Sequence, residues 1–348
     1  MASLSRGPRV VVRAALPGEG AAIAGLWREL WDAHEAWGGY RGSRDPRVYE
    51  ALAVRLDADA RVRAGHPLLG RHLHLVAALD GVPCGQVEGW LDRHGVDLAT
   101  PCTCEIRSLV VAERARRCGA GRALLEALTR AARAASRGAP CVLAAEVLAA
   151  NPANDFYDRL GYHPVAWSAR IAAARGAAIP TGALTARLAA GRDDLTIAHL
   201  EVALAARRRA AGDLRYDGPR PVDAALVGAI GMQLEAGSDG SQQDPTTVVA
   251  VDPDGAVAGV AGFAVHALEP PFAAGFRALE GRFALADPGQ PRAAVAALVA
   301  LACRFALAHG AEHVELTDLS APGSELHEAA LAAGAVPWSR VVMRSARE

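Results

Sequence analysis

The strongest constraint on the fold is that the chain repeats itself. At an offset of about 174 residues, three sets of positions stay in step, a spacing far too long for a solenoid but suited to two copies of one domain. Arg13 with Ile23-Ala24-Gly25-Leu26 lines up with Arg187 and Ile197-Ala198-His199-Leu200, each set opening a strand-then-helix unit. Leu73 to Leu79, Asp80-Gly81 and Val82 to Leu91 read as a β-hairpin around an Asp-Gly turn. Thr247 to Val251, Asp254-Gly255 and Ala256 to Val265 repeat that pattern. Leu160-Gly161-Tyr162-His163-Pro164 then matches Ala333-Gly334-Ala335-Val336-Pro337. Each half therefore predicts strand, one or two helices, hairpin, strand, helix, strand, helix and closing strands. That order is an α/β domain (α+β in some schemes) around a mixed sheet. A length of 348 residues accommodates two such domains. The stretch Arg175-Gly-Ala-Ala-Ile-Pro-Thr-Gly182 has linker composition, which divides the chain into 1–174, a linker over 175–182, and 183–348.

Composition narrows the partners. A formal net charge of -1 supplies no general electrostatic reason for binding nucleic acid or an anionic membrane. The one basic run, Arg207-Arg208-Arg209, falls at the end of a predicted helix and reads as a solvated cluster offsetting the helix dipole. No apolar run is long enough to span a bilayer, and Met1 to Arg9 carry no signal-peptide-like apolar stretch, so the expectation is a cytoplasmic protein without a membrane partner. The chain contains no lysine, which excludes a Lys-containing Walker A loop. Its six cysteines, Cys84, Cys102, Cys104, Cys118, Cys141 and Cys303, show neither a Cys-x-x-Cys pair nor zinc-like spacing, so no metal is expected.

Residues 104 to 162 carry the chemistry. The apolar run Ile106 to Val111 leads into Arg116-Arg117-Cys118-Gly119-Ala120-Gly121, which opens the helical stretch Arg122 to Ala135. Glycines just before a helix start let the backbone fold closely around an anion, towards which the free N–H groups of the first turn point. Cys141 to Leu148 comes next as a buried strand, and then Asn151-Pro-Ala-Asn-Asp-Phe-Tyr-Asp-Arg-Leu-Gly-Tyr162. In this order and spacing the segment resembles the acetyl-CoA-binding core of the GNAT superfamily of N-acetyltransferases. Arg116, Gly119 and Gly121 fill the family's Gln/Arg-x-x-Gly-x-Gly/Ala signature, and Asn154 to Tyr162 resemble its Asn-x-x-Phe-Tyr-x-x-x-Gly-Tyr/Phe stretch. The resemblance implies two tandem GNAT-like domains, each a mixed, mostly antiparallel sheet flanked by helices.

Only the first copy keeps the motif. Where it has Arg116 to Gly121, the second has Asp287-Pro288-Gly289-Gln290-Pro291-Arg292-Ala293, whose two prolines lack the N–H groups a phosphate needs. Opposite Asn154 and Tyr157 it offers approximately His327 and Ala330. The expectation is one catalytic domain, one degenerate domain and a single acetyl-CoA per chain.

Acetyl transfer to an amine requires a neutral amine, a place for negative charge on the carbonyl oxygen and a proton for the leaving thiolate. Carried over from the family, Glu105 is the general base, directly or through water, and Tyr157 the general acid. Glu105 also stands two residues from Arg107 on one strand face, where the two can form an ion pair. The resemblance assigns backbone contacts with the cofactor to Leu109, Val110 and Val111, with the Leu109 N–H near the thioester oxygen. It makes Arg116, Arg117, Cys118, Gly119, Ala120, Gly121 and Arg122 the pyrophosphate cradle, and Asn154 a ligand of the pantetheine amide. In the family, the strand before the cradle bulges and splays from its neighbour.

Trp27, Trp31, His34, Glu35, Trp37 and Tyr40 cluster on and after the first helix, where the family places an acceptor-side wall, although Trp27 and Trp31 also have the spacing of an ordinary core stripe. Trp31, His34, Tyr40 and Glu88 are the substrate-side candidates. His72 and His74 share one strand face but have no further metal ligands at a recognisable spacing. The expected activity is acetyl-CoA-dependent N-acetyltransfer, an acyltransferase reaction on groups other than amino-acyl groups. The amine of a small molecule or peptide attacks directly in a ternary complex, in a monomer or homodimer. A mycothiol-synthase-like acetyltransferase, which also has tandem domains, and a non-catalytic coenzyme A-binding or sensing module are the alternatives.

Overall fold

The computed structural model describes residues 10–65, 72–92, 102–137, 139–216, 221–237 and 246–346. The N-terminal stretch Met1 to Arg9, on which the absence of a signal-peptide-like segment was argued, lies outside them.

Two compact units emerge. The first comprises Met1–His163, Glu269–Ala273 and Val342–Glu348; the second comprises Pro164–Leu268 and Ala274–Val341. The element order of the first copy is β1 (Val10–Ala14), α1 (Gly20–Ala36), α2 (Pro46–Gly65), β2 (His72–Leu79), β3 (Val82–Asp92), β4 (Cys102–Val111), α3 (Ala120–Ala135), β5 (Cys141–Leu148), α4 (Asn154–Arg159) and β6 (His163–Ala172). After α5 (Ala173–Ala177) the order recurs as β7 (Thr185–Leu188), α6 (Asp194–Ala210), α7 (Ala224–Gly237), β8 (Thr246–Val251), β9 (Val257–Ala267), β10 (Phe276–Leu285), α8 (Arg292–Ala308), β11 (His313–Leu319), α9 (Glu325–Ala332) and β12 (Val336–Ser345).

In the first unit, β1, β2, β3 and β4 pair antiparallel in that order, and β5 joins β4 in parallel. The end of the last strand closes this unit beside β5, where the Ala346 N–H donates to the Cys141 carbonyl. Asp80 and Gly81 both adopt positive φ, 51° and 85°, as a two-residue hairpin turn requires. Helix α3 buries Leu124, Leu125, Leu128 and Ala132 on one stripe against β2, β3 and β4, as its 3.6-residue periodicity demands. Leu26 and Leu30 of α1 pack with Val110 and Ala112 over the opposite face.

In the second unit, β7, β8, β9 and β10 pair antiparallel in order, β11 joins β10 in parallel, and β6 pairs antiparallel with β11 from Trp167 to Ala172. Each unit is thus completed by strand residues from the other half of the sequence. The stretch read as a linker begins inside α5, where Ala173 and Gly176 are buried; an alanine-rich segment keeps its helical hydrogen bonds there.

The copies share more than the aligned sequence positions. Arg13 forks onto Glu19 at 2.8 and 2.5 Å, and Glu19 also accepts from the Leu16 N–H. At the same offset Arg187 forks onto Asp193 at 2.7 and 2.9 Å, and Asp193 accepts from the Ala190 N–H. In both copies the arginine holds its carboxylate partner below the ordinary range. One polar clasp between first strand and first helix has therefore been kept in each.

Candidate active site

The central feature of the first unit is a gap between its two parallel strands. Pairing of β4 with β5 runs from Cys102/Cys141 to Ile106/Ala145 and stops, although both strands continue. The cause lies on the other edge of β4. Glu88 and Gly89 are adjacent on β3, yet they oppose Ser108 and Ile106, leaving Arg107 as an extra residue. Such a β-bulge bends the strand and re-aims the residues after it.

Past the bulge, the Ala112 N–H donates to the Cys84 carbonyl on the β3 side. Strand alternation then turns the backbone groups of Leu109 and Val111 towards the gap. Val110 is placed differently: it opposes Gln86, and its side chain is buried with Leu26 and Leu30. Of the three residues expected to offer backbone to a cofactor, Leu109 and Val111 face the open edge and Val110 faces β3.

The turn beyond β4 is built for exposure. Arg116, Arg117, Cys118 and Gly119 are all exposed, and Ala120 is buried at the start of α3. Arg117 has φ 65°, unusual for a side-chain-bearing residue, and Gly119 has φ 86° at the N-cap. The first helical bond of α3 is from the Ala123 N–H to the Gly119 carbonyl. The N–H groups of Gly119, Ala120, Gly121 and Arg122 therefore lie outside the helical ladder, at the positive end of the helix dipole. Arg116 folds back to donate from Nε to the Val111 carbonyl at 3.3 Å, and the Cys118 thiol donates to the Ala115 carbonyl at 2.7 Å. Arg122 is exposed beside them. A Cβ on Gly121 would stand 3.2 Å from Cζ of Phe156, so the turn and α4 touch there. Exposed guanidinium groups, N–H groups without ladder partners and a backbone stripped of side-chain bulk fit a diphosphate.

Tyr157 lies one residue beyond that contact, buried with Tyr162 at a ring separation of 5.2 Å. Burial, with no offsetting charge or hydrogen bond, pushes its phenol well above the ordinary range. Its hydroxyl is not among the sealed, unpartnered polar atoms, which include the hydroxyl of Tyr162. Asn154 uses its side-chain amide N–H groups to tie the end of β5, donating to the carbonyls of Leu148, Ala149 and Asn151 at 2.9, 3.2 and 2.8 Å.

Glu105 is exposed on β4 and accepts from Nε and an Nη of Arg107, each at 3.1 Å. The Arg107 guanidinium also lies 5.0 Å from the Trp90 ring centroid. The bulge that opens the gap therefore also supplies a cation beside the expected base. Behind it runs a buried polar row. His74 Nε2 lies 2.6 Å from Gln86 Oε1, and the Gln86 amide donates to Ser108 Oγ at 3.2 Å. A Glu88 carboxylate oxygen stands 3.6 Å from His72 Nε2 and 3.7 Å from His74 Nδ1. His72 stacks on Trp90 at 4.3 Å. Among the described residues no group of three His, Cys, Asp or Glu side chains is positioned to hold a metal ion.

The aromatic residues after α1 do converge. Trp31 meets His34 edge-on at 5.2 Å and Trp27 at 5.5 Å. A fourth ring is Phe272, 4.3 Å from Trp31 and 6.0 Å from Tyr40. It arrives on the segment Glu269–Ala273, docked by Ser43 N–H to Pro271 carbonyl at 2.8 Å and Ala273 N–H to Arg41 carbonyl at 2.9 Å. Nothing in the sequence signals this, because the segment is more than 200 residues from the helix it joins. Burial lowers the His34 pKa to about 4, so its imidazole is neutral. The backbone of Gly39 lies against the Leu148 side chain, bringing this aromatic wall to the end of β5.

A sheet splayed between two parallel strands beside a bulge defines the class: a GNAT fold, present here in two copies, of which the first also has a left-handed glycine turn opening the next helix. Residues 27–162 match the model of the acetyltransferase (GNAT) family, and this stretch of the chain is a GNAT domain. The fold likeness extends further. A GCN5-related N-acetyltransferase from Sphaerobacter thermophilus superposes with a TM-score of 0.55 at 18% identity, covering 97% of this chain and 96% of that one. A tandem GNAT protein from the clavulanic acid biosynthesis pathway superposes with a TM-score of 0.53 at 18% identity, covering 97% and 99%. No curated protein sequence matches the chain. No helix among the described residues is long and apolar enough to cross a membrane.

Proposed function

We propose that the first copy, residues 1–174, is an acetyl-CoA-dependent N-acetyltransferase acting on a primary amine of a small molecule or peptide, and that the second copy, residues 183–348, does not bind acetyl-CoA. The observation that carries this is the coincidence of the gap past Ile106 and Ala145 with the turn from Arg116 to Arg122, both in the segment that matches the family. Bound there, acetyl-CoA supplies the activated acyl group. The chain's residues do the rest. The N–H groups of Gly119 to Arg122, with the three arginines of the turn, hold the diphosphate. The outward backbone of Leu109 and Val111 aligns the arm, with the Leu109 N–H placed for the oxygen that gains charge.

Glu105 takes the proton of the incoming ammonium, directly or through water, exchanging part of its Arg107 contact for that proton. Tyr157 stays protonated because of its burial, so it can deliver a proton to the departing sulfur at any working pH. The amine attacks directly, in a ternary complex. Trp31, His34, Tyr40 and Phe272 form an uncharged aromatic side to the acceptor site, with Glu88 supplying the negative end for a cationic acceptor. Asn154 acts here by holding the β5–α4 connection. A cytoplasmic monomer or homodimer is the setting that fits this reading.

The test is an amine screen with the full-length protein, following thiol release from acetyl-CoA. Release that depends on the added amine, and a product gaining one acetyl group, support the reading. Saturable acetyl-CoA binding without turnover on aliphatic amines, amino acids, aminoglycosides or peptides refutes it in favour of a coenzyme A-binding module.

A further inference from the structure

The second unit keeps the gap after losing the turn. Parallel pairing of β10 with β11 stops at Glu280/Leu316, and the β9 register slips by one residue between Gly281 and Ala284, where Arg282 has φ 54°. This is the bulge and splay of the first unit, repeated. The space is a cleft of about 320 Å³ with Phe283 and Leu285 in its wall, at the repeat positions of Leu109 and Val111. Trp167 adds a third apolar wall residue. The volume is at the lower end for small-molecule sites.

Arg207 and Arg208 also line this cleft, and Arg208 stands at the repeat position of His34. The basic run expected to be solvated is therefore divided: Arg207 is exposed, whereas Arg208 is only 5% exposed. Consecutive residues are turned by about 100° on a helix of 3.6 residues per turn, so one member of such a run can point inward while its neighbour stays in solvent. Among the described residues Arg208 makes one hydrogen bond, to the Leu319 carbonyl at 3.2 Å, and neither arginine has a carboxylate within ion-pair distance. The nearby carboxylates Asp213 and Asp318 are committed to Arg215, at 2.7 and 2.9 Å. Glu325 also lines the cleft, and among the described residues it forms no ion pair with either guanidinium. A buried guanidinium retained beside a second one, in an apolar cleft, is costly unless an anion completes it.

We propose that this cleft of the second unit binds a small organic carboxylate, its apolar body against Trp167, Phe283 and Leu285 and its carboxylate on Arg207 and Arg208. Coenzyme A is excluded as the occupant: Pro288 and Pro291 remove N–H donors from the turn, and Asp287 brings a negative charge to it. The site is independent of the acetyl-transfer reading, which concerns the first unit.

The test is calorimetric titration of the full-length protein with benzoate, indole-3-carboxylate and hexanoate, against benzamide as the neutral match for benzoate. At least one carboxylate should bind saturably, benzoate at least tenfold more tightly than benzamide, and Arg207→Gln should weaken carboxylate binding at least tenfold without changing the melting temperature of the free protein. Arg208→Gln should do the same, and Arg207→Gln decides alone if the buried change prevents folding. Absence of binding by all three carboxylates up to 10 mM, equal binding of benzamide and benzoate, or unchanged affinity in Arg207→Gln overturns the proposal.

Discussion

Replacing Tyr157 with Phe separates packing from chemistry. The ring is buried among the core residues of the first unit, and Phe retains it entirely. Burial is the one cause that raises the pKa of the hydroxyl, with no side-chain hydrogen bond contributing, so its loss strands no protein donor or acceptor. The stability change should stay within about 0.5 kcal/mol, because the cost of deleting a polar group comes mainly from the partner left behind. For a unit of this size, that moves the melting temperature by no more than about 2 °C. Turnover should respond quite differently. A positioned proton donor contributes about 10²–10⁴-fold, equivalent to about 3–5 kcal/mol of barrier. The assay is steady-state thiol release from acetyl-CoA with a saturating amine, alongside a thermal melt and a direct acetyl-CoA titration. The expected triad is unchanged melting, unchanged affinity and turnover reduced at least a hundredfold. Unchanged turnover removes Tyr157 from proton delivery, and a melting temperature lowered by more than about 5 °C refutes the account of a hydroxyl whose loss strands no protein donor or acceptor.

The same geometry fixes the response of three other positions. Gly119→Ala forces a side chain to φ 86° with open space around it, so the cost is backbone strain of about 1–2 kcal/mol and not a clash; acetyl-CoA affinity in a direct titration should fall about tenfold or more, whereas Gly121→Ala, which needs only a small shift of Phe156, should fall less. Because burial holds His34 at a pKa of about 4, the unfolded chain takes up that proton first as pH falls below 6.5, and stability should decline between those values; melts across this window should be flatter for His34→Phe, and an identical slope removes His34 as a contributor. Glu280 is fully buried with both carboxylate oxygens unpartnered, and its pKa is raised well above 4.5 by burial. The unfolded chain loses that proton first as pH rises above 4.5, so this group destabilises the wild type at neutral pH; Glu280→Leu should stabilise the protein by about 1–3 kcal/mol at pH 7 and by less near pH 4.5, and destabilisation at pH 7 in a denaturant titration contradicts it.

Local chemistry was legible in the residues themselves. The Asp80-Gly81 turn and the glycine-bearing start of α3 come from φ requirements, and the structure shows both. The Glu105–Arg107 ion pair was equally accessible, since strand alternation puts both on one face. Val110 shows the limit of transfer by motif: its neighbours face the gap, but alternation turns Val110 towards β3.

The sequence by itself determined the duplication, the element order of each copy and the position of the arginine- and glycine-bearing turn in only one of them. All of these depend on interactions within a few residues, or on a repeat that survives as aligned side chains. Tertiary structure decided the rest. It placed Arg107 as the extra residue that splays β4 from β5, brought Phe272 onto Trp31, completed each unit with strand residues from the other half, and buried Arg208 while leaving Arg207 exposed. Those outcomes depend on which surfaces meet across long stretches of chain. Such meetings are set by packing and leave no periodicity in the residues that make them.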